Sequence, residues 1–127
     1  MMVTMVLDEA LVHRPVGGPI VMARQLRFLA DMAAPPDMCL RAVPYAAGQH
    51  PGLATGAFTL LQFPASNRGN GDDMTIVYAE GLTGELYLDK PHEVQRYRES
   101  HAAILRCALD EAATQDMLLA AAKDLER

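Results

Sequence analysis

Ala57-Phe58-Thr59-Leu60-Leu61-Gln62-Phe63, Thr75-Ile76-Val77-Tyr78-Ala79-Glu80 and Glu85-Leu86-Tyr87-Leu88 are three short runs dense in β-branched and aromatic residues, and they decide the fold. Each reads as a strand. Pro64 to Asp73, between the first two, is polar, holds two glycines and has the composition of a mobile hairpin loop. Gly81 to Gly84 is a short turn that joins the second and third runs as a hairpin. Alternation along the middle run sets Ile76, Tyr78 and Glu80 on one face.

On the C-terminal side, Pro91 opens a long helix in which Val94, Tyr97, His101, Ile104, Leu105 and Ala108 keep helical spacing over four turns. Asp110 is placed to cap a final helix whose apolar stripe is Ala113, Met117, Ala121 and Leu125. On the N-terminal side, Ala46 to Gly56 is a Gly- and Ala-rich loop around His50-Pro51-Gly52, and Met38 to Val43 is a strand stopped by Pro44. Before it, Pro19 starts a helix with the stripe Met22, Leu26, Leu29 and Ala33, ended by Pro35-Pro36-Asp37. Val3 to Asp8 alternates as a first strand. The order β-α-β-β-β-β-α-α predicts an α+β fold: one mostly antiparallel sheet of about five strands, helices on one face, in a single domain over residues 1–127.

Composition narrows the function classes. Half of the 127 residues are hydrophobic, which excludes intrinsic disorder, and no apolar run approaches the ~20 residues of a membrane span. The start lacks a basic segment and its apolar run ends at Asp8, so a signal peptide is not read there and a cytoplasmic location is expected. Net charge is −5, which makes nucleic acid a poor partner for this chain alone. Cys39 and Cys107 read as small buried hydrophobes, and neither a disulfide nor a structural metal is expected. The eight methionines read as core filler.

Common catalytic motifs fail one by one. His92-Glu93-Val94-Gln95-Arg96 opens like a zinc-protease helix but sets a cation where the second histidine must stand. The four histidines form no ligand pair at helical spacing, and neither Ser66 nor Ser100 lies in a nucleophile elbow. Gly69-Asn70-Gly71 is followed by acids that would repel a phosphate. Asn67 to Asp73 faintly suggests a calcium loop, but its twelfth position is Tyr78 rather than glutamate. No cofactor is implied.

Five residues remain as candidates for a site. If the face of Tyr78 and Glu80 turns inward, the pair is a general acid/base couple or a polar hook for a ligand. Otherwise Glu80 is a solvated strand end or the partner of an arginine such as Arg41. Tyr97 and His101 lie four apart on the long helix, either as a polar-tipped core pair or as a pair facing a ligand. His50 sits in a Gly/Pro loop, where function concentrates, yet where a histidine is also commonly just solvated. Glu93, Arg96, Arg98, Glu99 and Arg106 form a mixed-charge, solvated helix face.

Leu7-Asp8-Glu9-Ala10, Arg14-Pro15-Val16-Gly17-Gly18-Pro19, Met22 and Gln25-Leu26 resemble the opening of the domain of unknown function that follows an XRE-type helix-turn-helix in actinobacterial regulators. The likeness continues through Val43-Pro44-Tyr45, Gly48-Gln49-His50-Pro51-Gly52-Leu53 and Phe58-Thr59-Leu60-Leu61-Gln62-Phe63-Pro64. It ends with Val77-Tyr78-Ala79-Glu80, Gly84-Glu85-Leu86-Tyr87-Leu88 and Val94-Gln95-Arg96-Tyr97. The resemblance implies a cytoplasmic, antitoxin-like or developmental transcriptional regulator, often encoded beside a small partner protein, in which this block senses a small molecule or a partner while the helix-turn-helix reads DNA. The chain departs from that pattern because the helix-turn-helix and the helical segment before the block are absent from it.

Three functional expectations follow. One is a sensor-like binding domain for a small molecule or small partner protein, with Glu80, Tyr78, Tyr97, His101 and His50 as its ligand contacts. Another is a freestanding, cofactor-independent isomerase or cyclase of small-molecule biosynthesis, with Glu80, Tyr78 and His50 foremost among its catalytic groups and Tyr97 and His101 beside them. The last is assembly: an apolar face bared by the missing helices, with Leu105 or Met117 on it, makes the chain a homodimer. A pocket enclosing Glu80 with Tyr78 or Tyr97 favours the first two, and a flat apolar face favours the last.

Overall fold

Asp8 ends one element and begins the next: its side chain accepts from Ala10 N at 2.9 Å, so strand β1 (Val3–Asp8) turns straight into helix α1 (Glu9–His13). Gly18, at φ +97°, makes the turn before Pro19, which opens helix α2 (Pro19–Met32). Helix α2 returns the chain to strand β2 (Met38–Val43), which lies parallel to β1 in the register Val3↔Met38 to Asp8↔Val43. These elements belong to a computed structural model that describes residues 1–33, 36–64 and 74–127. The expected hairpin loop beyond Pro64 and the calcium-like stretch from Asn67 to Asp73 lie outside the described residues.

Beyond β2 come a short 3₁₀ turn (Tyr45–Ala47), helix α3 (Gly52–Thr55), and strands β3 (Thr59–Phe63), β4 (Met74–Gly81) and β5 (Gly84–Leu88). Two helices close the chain, α4 (Pro91–Cys107) and α5 (Glu111–Leu125). Helical turns thus occupy part of Ala46 to Gly56, the segment expected to be loop throughout.

The expected single, mostly antiparallel sheet of about five strands is not what forms. The fold is α+β with two separate sheets, a parallel pair β1-β2 and an antiparallel trio β3-β4-β5. The cause lies in the connections. A helix between β1 and β2 is a crossover, which returns the next strand parallel to the first, whereas the short turn between β4 and β5 closes an antiparallel hairpin.

The chain divides into two units, Met1–Gly48 with Leu105–Arg127, and Gln49–Ile104. In the first, α2 and α5 pack together over the parallel pair. Its core holds Val12, Met22, Leu26, Leu40 and Leu118, and the alanines Ala23, Ala30, Ala121 and Ala122 let the helix backbones approach closely. Asp110 caps α5 by accepting from Ala113 N at 2.8 Å, as the sequence indicates. The buried stripe of α5 runs through Thr114, Leu118, Ala121 and Ala122, one position on from Ala113 and Met117 at its start.

Strand β2 is tied on its free edge to the junction that follows α4. Leu109 N donates to Ala42 O at 2.8 Å, and Ala42 N donates to the buried Thr114 Oγ1 at 2.9 Å. Beside them the Arg41 guanidinium donates from Nε to Leu109 O at 2.7 Å, and from Nη2 to Ala108 O at 3.0 Å and Leu105 O at 3.2 Å. A helix leaves its last carbonyls short of intrahelical donors, and one planar cation meets Leu105 O in the last turn of α4 together with the Ala108 and Leu109 carbonyls just beyond it. Arg41 is therefore engaged with backbone.

In the second unit, the pairings Thr59↔Tyr78, Phe63↔Met74, Tyr78↔Tyr87 and Glu80↔Glu85 fix which residues share a face. Val77 and Leu88 pair on the opposite face, where Val77 is wholly buried. That inner face meets α4. The rings of Phe58 and Tyr97 touch edge to face at 5.0 Å, and the Arg98 guanidinium donates to Thr75 Oγ1.

Candidate functional site

Helix α4 sets Glu93, Arg96, Tyr97 and Ser100 at i, i+3, i+4 and i+7, one face of a helix. Opposite them, alternation along β5 turns Leu86 and Leu88 to the same side as Val77. With Thr55 at the end of α3, these side chains line an open groove of about 400 Å³ within the second unit. Its floor is aliphatic, and its rim offers a carboxylate, a guanidinium, a phenol and two hydroxyls. Such a mix can hold a small amphipathic molecule by burying its apolar part and pairing its polar end.

Of the five residues expected at a site, Tyr97 alone lines this groove. Tyr78 and Glu80 do share a face, and the Tyr78 hydroxyl donates to Glu80 Oε1 at 2.5 Å. That face is the outer one, away from Leu86 and Leu88. On it the pair is mirrored across the hairpin: Tyr87 donates to Glu85 Oε2 at 3.2 Å, its ring lies 5.1 Å from that of Tyr78, and Glu85 stands opposite Glu80. Both phenols hold their protons more tightly than free tyrosine, chiefly because each donates to a carboxylate whose negative charge also opposes ionisation. The repeat of Tyr-x-Glu as Glu-x-Tyr across a four-residue turn was the available sign of this cluster.

His50 is buried, and its Nδ1 accepts from Gly52 N at 3.2 Å. A Cβ at position 52 would stand 2.9 Å from His50 Cε1 and 3.3 Å from Ile104 Cδ1, so the glycine is what lets the ring pack against the start of α3. Its surroundings are those of a packed structural histidine. His101 is half-buried on α4 and does not line the groove. Glu93 and Arg96, expected only as part of a solvated face, are groove residues. Their spacing with Tyr97 was legible, but the aliphatic wall that faces them comes from a hairpin whose inward side the sequence leaves open.

The first unit carries one polar cluster. Glu9 Oε1 accepts from Tyr45 N at 2.7 Å, Glu9 Oε2 lies 2.9 Å from His13 Nε2, and the His13 ring stacks on Tyr45 at 5.9 Å. These contacts pin α1 to the turn after β2. The Tyr45 N–H first, and His13 second, hold the Glu9 carboxyl below the usual carboxylate range. A depressed carboxyl contributes stability that is present above its unfolded value and lost as pH falls through its folded value. Glu9→Gln is therefore expected to cost about 1 kcal/mol at neutral pH, the low end for a charge-assisted bond near solvent. The gap from wild type should begin to narrow below about pH 4.3, the ordinary glutamate value, and close as pH falls through the lower folded value. Urea denaturation at pH 7 and pH 3 measures it, and a gap that stays constant across that range would count against the assigned role.

Cys39 and Cys107 are both partly accessible free thiols; burial, then a hydrogen bond with Glu111, pushes the Cys39 thiol up. Among the described residues, no three His, Cys, Asp or Glu side chains converge as a metal site, and no helix is long and apolar enough to cross a membrane.

Residues 1–120 match the model of a family described as Domain of unknown function (DUF5753). Neither the curated proteins nor the solved structures yield a match to the chain.

Proposed function

Since the chain belongs to the DUF5753 family, we propose that it is a sensor-like binding module of a cytoplasmic regulator, of the kind that accompanies an XRE-type helix-turn-helix in actinobacteria. In this proposal it takes a small amphipathic molecule in the groove of α4 and β5 and leaves DNA reading to other elements. The groove is the observation that carries it: Leu86 and Leu88 beneath, Arg96, Tyr97 and Ser100 above, all within one unit. A net charge of −5 supports the exclusion of phosphate backbones as partners. The isomerase or cyclase alternative lacks equal support. Tyr78 and Glu80 face solvent rather than the groove, and a phenol that holds its proton more tightly is poorly matched to proton transfer near neutrality.

The test uses 8-anilinonaphthalene-1-sulfonate, an amphipathic anion whose fluorescence rises in apolar sites. One molecule should bind per chain. Tyr97→Ala and Arg96→Gln should each weaken binding about tenfold, the loss of roughly 1.4 kcal/mol expected when one contact of a small ligand goes. Tyr78→Phe, on the other side of the sheet, should leave it unchanged. Equal binding by all four proteins sinks the groove as the site.

A further inference from the structure

Among the described residues of the second unit nothing packs on the outer face of β3-β4-β5, and its chemistry has a counterpart on the first. Leu61, Phe63 and Tyr87 are 42%, 44% and 62% exposed there, around the half-buried Ile76 and Tyr78. At the hairpin end Glu80 and Glu85 stand opposite each other, with no cation paired to either among the described residues. A face of this kind is apolar along most of its length and acidic at one end. It is an unusual surface to leave in water.

Helix α2 presents the inverse. Its inner side is spent on Met22, Ala23, Leu26 and Ala30, while Ile20, Val21 and Phe28 on the outer side are each more than half exposed. Ile20, Arg24 and Phe28 follow at i, i+4 and i+8, a row about 12 Å long with a cation at its centre. Val16, at 61% exposure, and Arg14 lie in the turn that leads into α2. Arg27 is occupied by Glu126 at 2.5 Å, but Arg14 and Arg24 make no ion pair among the described residues. One surface is apolar and acidic, the other apolar and basic.

We propose that the outer sheet face of one copy docks the α2 face of a second copy of this chain, with Arg14 and Arg24 set against Glu80 and Glu85. The contact joins two different patches of the chain, so it is heterologous. Charge complementarity selects this occupant over a second sheet face, which would bring no cation to the paired carboxylates. The inference is independent of the groove, which lies on the opposite side of the sheet.

Sedimentation velocity on the whole chain between about 1 and 100 µM, the range of moderate protein–protein affinities, tests it together with charge reversal. The unaltered chain should move from 13.8 kDa towards twice that mass. Arg24→Glu alone and Glu80→Arg/Glu85→Arg alone should each weaken self-association by about tenfold or more. Mixing the two altered chains should restore it, because each then offers what the other has lost, and neither change touches the core. A monomer at every concentration overturns the proposal. So does association that ignores both reversals, or a mixture no tighter than its components.

Discussion

Leu118→Ala is expected to lower the unfolding free energy by about 3 kcal/mol, within the roughly 2–5 kcal/mol seen when a buried leucine leaves a cavity. Leu118 is wholly buried on the face of α5 that meets α2 and β2, in a core whose other α5 members are alanines. Small neighbours cannot swing in to refill the space. Met117, one residue earlier, only packs against the rim of that core, so Met117→Ala should cost about 1 kcal/mol. Paired denaturant titrations of the two variants therefore report the rotational setting of α5 directly. Equal losses, or a larger loss at Met117, would mean that the helix presents a different face.

Arg41→Ala is expected to cost about 2–4 kcal/mol, because three carbonyls in the last turn of α4 and just beyond it lose a charged donor in a part-buried setting. The negative end of the helix dipole adds to the loss. Arg41→Lys should recover only part of it. An ammonium can reach one or two of the three oxygens, but it lacks the planar fork that spans Leu105, Ala108 and Leu109 together. Arg41→Met, which keeps the stem but not the charge, separates packing from hydrogen bonding in the same melting experiment. A methionine variant as stable as wild type would show that the carbonyls do without the cation.

Local chemistry made much of the secondary structure legible. Pro19 at a helix start, the Asp110 cap and the alternation of β4 are short-range features, set by neighbours within a few residues. What the alternation of Ile76, Tyr78 and Glu80 could not supply was which side of the sheet they occupy, since both sides of a three-stranded hairpin sheet look alike until a helix chooses one. Val77, Leu86 and Leu88 won that choice, and the Tyr78–Glu80 pair was left on the outside. The separation into two sheets was present in the order of elements, because a helix between β1 and β2 demands a parallel return. It was obscured by treating all five strands as one set. Arg41 and Thr114 gave no sign, for their partners are backbone groups 64 to 72 residues away. Tyr97 was visible as a candidate through its helical spacing, whereas Arg96 and Glu93 beside it looked like ordinary solvated charges.

The second unit is one unbroken stretch, Gln49–Ile104, whereas the first is assembled from both sides of it. Arg27 meets Glu126 across 99 residues and Ala30 meets Gln115 across 85. During synthesis β3, β4, β5 and most of α4 can find their partners within one continuous stretch. The face of α2 that α5 covers stays open until α5 follows. Closing so long a loop is slow relative to local hairpin formation. The middle stretch can thus complete its contacts before the two segments of the first unit meet.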